Sequence, residues 1–412
     1  MDFAKELQQM TEGLNMQSLS QMAPAEKILS SIDYTRPLGE YATPEQISTF
    51  IKMREGTQHI YTRDLQAGGL AVQDAMERYL SASEYYSNGA LKEGLKTPLH
   101  LYYAKESGWK QEFESYMGSK DHFDLGTYLH MCLLEPTKFS RVTVEPKYGL
   151  NSLNGVKQMI GFWENKILIR GEALVENETV DAETGMKAAR LAVDEMGLDI
   201  SKMDGLRAYY DILKKVSGLE AVKEEHALII DIVRRNYERY AGGIIFDLLK
   251  HSKREISMYY TDPETGLKVR IRPDAIQFEE NIGCNAIISV KSTRAESLSH
   301  YYYQSAKLCY EHGEGMYQEV ASGVTGRDFN CTINIIFQTI APFGVAVLIW
   351  NPEDIEIGKY KYRQALQIAK ECEEKRLYPG YDTYAESGHL GLIGMKQPTW
   401  NSKELFPTDL ED

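Results

Sequence analysis

From Arg254 onward the hydrophobic period of the chain changes from three-to-four to two, and this change limits the fold more than any other feature. REISMYY alternates, TDPETG is a turn, and LKVRIRPDAIQF alternates again, which predicts a β-hairpin. NAIISVKST follows as a short, continuously apolar run of the kind a central strand needs. Ser297 to Glu319 reads as one long tyrosine-rich helix, and GVTGRDF as a turn. CTINIIFQTI and FGVAVLIW give two more strands around Ala341-Pro342, and EIGKYKYRQALQIAKECEEKRL gives a closing helix. Helices, three strands, helix, two strands, helix is the order of an α/β chain with a mixed central sheet flanked by helices.

Upstream, the pattern is helical. ASEYYSNGALKEGLKTPLHLYYAKE carries Leu91, Leu95 and Leu99 at four-residue spacing, with a break or bend near Pro98. HFDLGTYLHMCLLEP carries Leu125, Tyr128, Leu129, Cys132 and Leu133 at spacings of three and four, closed by Pro136. Thr184 to Leu249 is largely helical. The first ~75 residues, rich in Gln, Met, Ser and Thr, read as a separate N-terminal extension with short helices. The expected organisation is therefore an extension over 1–75, an α/β unit over 76–385 with a helical part at 184–250, and a loop-like tail over 386–412.

Composition narrows the class. Of 412 residues, 43% are apolar and 26% charged, which is ordinary for a globular chain and excludes collagen-like or wholly disordered sequences. The longest apolar run, Phe343 to Trp350, is far short of the ~20 residues a membrane helix needs. The start, MDFAKELQQM, lacks the apolar region of a secretory signal, so a cytoplasmic location is expected, that of a host cell if the chain is phage-encoded. Five scattered cysteines without a CxxC suggest reduced thiols and neither a zinc site nor an iron–sulfur cluster. The net charge of −14 argues against a general basic coat for nucleic acid, yet leaves room for one basic-lined cleft. No GxxxxGK(S/T) segment is present, so no ATP-driven step is expected.

Chemistry concentrates on two neighbouring strands. Arg272-Pro273-Asp274 ends the second hairpin strand, and Ser289-Val290-Lys291 ends the next. Residues two apart share a strand face, so Ser289 and Lys291 point the same way, with Asp274 opposite them on the adjacent strand. A carboxylate beside a lysine suits metal-assisted phosphodiester hydrolysis: one holds a divalent cation, the other orients water or offsets developing charge. Taken alone, such a pair is more often a plain ion pair.

The order of several blocks adds to this. GTYLHMCLLEPTKF, ISMYY with GLKVRIRPDAI, IISVKST, YEHGEGMY and LYPGY together resemble the RecE-type, PD-(D/E)XK-like exonucleases of phage recombination systems, from about Tyr79 to Tyr381. ALKEGLKTPLHLYY is similar to that family's opening helix. The resemblance implies a PD-(D/E)XK nuclease core in which His130 and Asp274 bind metal and Lys291 is the catalytic lysine. It also implies Mg²⁺ or Mn²⁺ as cofactor and double-stranded DNA ends as substrate, resected to a 3′ single strand for an annealing partner. A homo-oligomeric ring is implied as well.

Three positions depart from the family pattern. Ser289 stands where the family has Asp or Glu, Gly313 where it has Gln, and Gln338 where it has Glu. A serine hydroxyl cannot offset a divalent charge as a carboxylate does. Certain tetrameric restriction endonucleases with the same core use Ser-x-Lys together with a glutamate from the following helix. Glu314 lies four residues after Tyr310 and three before Tyr317, so the three share one helical face. The expected site is thus His130, Asp274 and Glu314 on one or two Mg²⁺ or Mn²⁺ ions, Lys291 handling water and charge, Ser289 hydrogen-bonding within the site, and Tyr317 facing it. Glu311 is the reserve, and Glu255, Glu279 and Glu280 are further donors. Lys92, Lys96 and Arg327 are the candidate DNA contacts, and Tyr301, Tyr302 and Tyr303 could stack on unpaired bases or pack on the sheet. The function expected is an exonuclease on double-stranded DNA. Its alternatives are a degenerate nuclease fold that only binds DNA or acts as a scaffold, and an endonuclease with a migrated carboxylate.

Overall fold

A computed structural model describes residues 42–53, 68–105, 121–176 and 178–395, with the side chains of 121–124 excepted. Most of the expected N-terminal extension and the end of the tail lie outside the described residues. Helix α1 (Pro44–Met53) is followed by strands β1 (Leu70–Val72) and β2 (Tyr86–Ser87), then by α2 (Asn88–Gly94), α3 (Pro98–Lys105) and α4 (Asp121–Leu134). Strands β3 (Val142–Val144) and β6 (Glu220–Val222) bracket α5 (Leu153–Arg170), the hairpin β4–β5 (Glu172–Val175, Glu178–Asp181), α6 (Ala182–Glu195) and α7 (Met203–Val216). After α8 (Glu224–Arg239) come β7 (Lys253–Arg254), β8 (Ser257–Thr261), β9 (Lys268–Ile271), β10 (Ala275–Gln277) and β11 (Asn285–Thr293). Helices α9 (Leu298–Lys307) and α10 (Tyr310–Thr325), strands β12 (Phe329–Gln338) and β13 (Val345–Ile349), and helix α11 (Pro352–Lys375) complete the order.

The chain is mixed α/β. Its main sheet has the order β13-β12-β11-β10-β7, with β11 and β12 parallel and the other pairs antiparallel. Strand β11 lies in the middle, as its continuous apolar run predicts. Alternation divides its side chains: Ala286, Ile288 and Val290 enter a core with Leu125, Leu129 and Leu133 of α4, while Ile287 enters the opposite core with Met316 and Val320 of α10. Ser289 and Lys291 share the parity of Ile287 and so lie on the α10 face. A second sheet, β1-β8-β9-β2, extends from the hairpin.

Three elements differ from the sequence reading. The long helix over Ser297–Glu319 is two helices, because Cys309 adopts a left-handed backbone (φ 50°) and the Lys92 ammonium donates to the Leu308 carbonyl (3.1 Å) at the end of α9. A cation on the last carbonyls favours a helix stop there. In the opening segment Leu91 and Leu101 are buried whereas Leu99 is exposed, because the chain restarts at Pro98 with a new phase. The helical region begins at Leu153, earlier than Thr184, and residues 153–216 enclose a core of their own around Trp163, Ile167 and Leu213. Among the described residues no helix is long and apolar enough to cross a membrane.

Two glycines let α10 and α11 cross at backbone contact. A Cβ on Gly358 would lie 1.9 Å from the Glu311 carbonyl oxygen, and one on Gly315 would lie 2.4 Å from the Lys359 nitrogen. Both obstacles are backbone, so neither can swing aside. Gly358→Ala is expected to cost about 1–3 kcal/mol of stability in urea denaturation. Beside this crossing His312 is fully buried, its Nδ1 2.7 Å from Asn88 Oδ1. Burial first, and then the charges of Lys92 and Lys361, pull its pKa from 6.5 down to about 4. As pH falls from 6.5 towards 4 the unfolded chain gains a proton that the native state refuses, so stability drops by roughly 3 kcal/mol. Urea denaturation at pH 7 and pH 4.5 checks this: His312→Gln is expected to remove that part of the drop.

Candidate active site

The hairpin that reads as one unit in the sequence feeds both sheets, and the place where it divides builds the site. Met258 pairs with Ile271 in the smaller sheet, and Arg254 pairs with Ala275 in the larger one. Between these pairs Glu255–Ile256 and Arg272–Asp274 leave the ladders. Pro273 has no N–H to give, and Glu255 sits in the left-handed region (φ 53°). The Glu255 amide donates to the Asp274 carbonyl (3.1 Å), so the two backbones stay side by side through the break.

Helix α4 brings the third member. Leu125, Leu129 and Leu133 bury one face of it under the sheet, and Gly126 allows the approach: a Cβ there would lie 2.9 Å from Ser292 Oγ of β11. His130 Nδ1 then stands 3.7 Å from Asp274 Oδ1. Donor atoms of His130, Glu255 and Asp274 all lie within 4.8 Å of one another. Ligands at about 2.0–2.6 Å from one cation can be that far apart. An imidazole nitrogen with two carboxylate oxygens suits Mn²⁺, and Mg²⁺ once water completes the shell, so the residues present fit either ion.

Beside this cluster, Ser289 Oγ donates to Glu314 Oε2 at 2.8 Å, with Ser289 wholly buried and Glu314 only 2% exposed. The helix glutamate thus reaches the strand at Ser289. Burial raises the Glu314 pKa, Lys291 and the Ser289 bond pull it back, and Asp274 pushes it up again; the net shift is upward. For Lys291, burial lowers the pKa, but Asp274, Glu314 and Tyr310 together outweigh it and the amine is held protonated. Its Nζ lies 5.8 Å from the centre of the Tyr310 ring. Asp274 also accepts from the Val290 amide, which fixes its carboxylate against β11. Burial, followed by Tyr79 and the carboxylates of Asp274, Glu314 and Glu255, holds the Tyr317 hydroxyl well above the ordinary phenol range.

Asp274, Ser289, Lys291, Glu314 and Tyr317 are therefore brought together. The candidate donor cluster has Glu255, not Glu314, as its third member; Glu314 is bonded to Ser289 and its charge acts on Lys291. Glu311 is tied to Lys361. Glu280 forms a two-bond pair with Arg327 (3.0 and 2.8 Å) before the start of β12. That is the opposite end of the β11–β12 pair from Lys291, roughly 20 Å along the strands. Lys92 serves the end of α9, and Lys96 pairs with Glu93 (2.7 Å). Gln338 holds the turn before β13, through the Ala295 carbonyl and the Gly344 amide (2.9 Å each). Tyr301 is buried against Asn334 (3.3 Å), whereas Tyr302 and Tyr303 are exposed. Arg272 and Asp74 had no role in the sequence reading. Arg272 reaches Glu255 (3.0 Å) and Asp74 (3.3 Å), and the only sequence signal was its place next to Pro273-Asp274.

No family model matches the chain, and no curated protein matches it. Among solved structures, the 2.19 Å crystal structure of a protein from Eubacterium rectale whose assignment as an exonuclease is provisional is similar over 82% of this chain and 99% of its own. The identity is 11% and the TM-score 0.40. The chemistry is therefore read from the site alone.

Isothermal titration with Mn²⁺ at pH 7.5 tests the cluster. Asp274→Asn and His130→Ala are each expected to weaken binding by at least tenfold, while Glu311→Gln leaves it unchanged.

Proposed function

We propose that this chain is a metal-dependent deoxyribonuclease of the PD-(D/E)XK type, acting from the ends of double-stranded DNA. The observation that carries this reading is the convergence of His130, Glu255 and Asp274 beside half-buried Lys291 and the buried Ser289–Glu314 pair. A cation held by the first three would supply Lewis acidity and a lowered pKa for water. The chain's own residues account for the rest. Lys291 keeps a proton and therefore a positive charge in a site lined by carboxylates, where it can meet a non-bridging phosphate oxygen as charge builds there. The charges of Asp274 and Glu314 favour that ammonium, and the Ser289 hydroxyl holds the Glu314 carboxylate in one orientation. Val290 does the same for Asp274 through its amide.

The choice of DNA ends, of an annealing partner and of a ring-shaped homo-oligomer follows the sequence resemblance; it belongs to this proposal in the same sense. Substrate form is the test. With Mn²⁺ present, linear double-stranded DNA is expected to be degraded and closed circular DNA to survive. Nicked circles would make the enzyme an endonuclease, and intact DNA of both forms in the presence of bound Mn²⁺ would leave a DNA-binding scaffold. Lys291→Ala and Glu314→Gln are each expected to lower cleavage on the order of 10²–10³-fold, with melting temperatures that show a folded chain.

A further inference from the structure

Arg272 is buried where the hairpin divides between the two sheets; its guanidinium lies 6.0 Å from the centre of the Tyr79 ring and makes four hydrogen bonds. Nε donates to Glu255 Oε2 at 3.0 Å. Nη1 donates to Ser257 Oγ (2.8 Å), to the Asp74 carbonyl (3.0 Å) and to Asp74 Oδ1 (3.3 Å). Asp74 is itself held by the Tyr259 hydroxyl (2.9 Å). The clamp therefore runs from β8, through Asp74 and Arg272, to the one carboxylate of the metal cluster that neither sheet positions directly. Glu255 lies between β7 and β8 with a left-handed backbone; its amide is tied to the Asp274 carbonyl, and its side chain is held by Arg272.

We propose that Arg272 is a positioning residue of the cation site: it holds Glu255 in the place from which that carboxylate completes the donor set with His130 and Asp274. This rests on the reading of that cluster as a cation site. A free glutamate side chain would lose rotational freedom on binding, and one already gripped at Oε2 does not. The grip needs a planar fork. Lysine offers the same charge as a single point and cannot serve Glu255 and the Ser257–Asp74 side together. Arg272→Lys thus separates position from charge.

The experiment is a double-mutant cycle on Mn²⁺ affinity, measured by calorimetry and by the electron paramagnetic resonance signal of free Mn²⁺, on the full chain. Arg272→Lys is expected to weaken Mn²⁺ binding about 10–100-fold, the range for partners that orient metal ligands. Glu255→Gln alone should weaken it comparably, and the double variant no further than Glu255→Gln alone. Native affinity in Arg272→Lys overturns the proposal. So does an equal loss in both backgrounds, because a purely structural arginine would act without Glu255. If Arg272→Lys does not fold, Asp74→Asn takes its place in the same cycle, with the same two overturning results. A native chain that binds no Mn²⁺ sinks the cation site itself, and that is seen before any variant is made.

Discussion

Everything in the site depends on the break in one hairpin. Two strands enter it paired in the smaller sheet and leave it paired in the larger one, and for two or three residues neither ladder holds them. Pro273 prevents the ladder from continuing on one side, and the left-handed Glu255 turns the chain on the other. Uninterrupted alternation would have placed Glu255 and Asp274 at the mercy of the pleat, each on whichever face its parity gave. The break frees both to converge on His130, and the bond from the Glu255 amide to the Asp274 carbonyl keeps the gap from opening.

The second dependence is electrostatic. Half-burying the Lys291 ammonium is costly unless negative charge lies near it. Asp274 comes from the strand side and Glu314 from the helix side. Because Ser289 is neutral, the helix must supply the charge, and the glycine crossing of α10 on α11 sets how far α10 can move. The Ser289–Glu314 bond is then the restraint that keeps this helix carboxylate against the strand.

The strands of the larger sheet beyond the break, and the helices α4, α10 and α11, could be read from their periods, because each is long enough to show one. So could the shared face of Ser289 and Lys291; Glu314 follows from the resemblance. Strands β1 and β2 could not: two or three residues carry no period, and Leu70 pairs with Tyr259 far along the chain. The stop at Cys309 has no glycine or proline to announce it and depends on Lys92 from another helix. The closeness of Glu255 to His130 depends on a backbone angle that a run of alternating letters conceals. Arg272 looked like one more polar residue of the alternation, because its partners, Asp74 and Glu255, are joined to it only in space.

The short pair β3–β6 has its own consequence. Parallel pairing sets Val142 beside Glu220 and Val144 beside Val222, so the chain departs for α5 and returns from α7 at neighbouring points. The described residues between Glu145 and Leu219 hang from that seam and pack chiefly on one another around Trp163. A shorter link across the seam could replace them without tension on the sheets, which makes this stretch the natural place to graft a tag or exchange a module while the half that carries the candidate site is left alone.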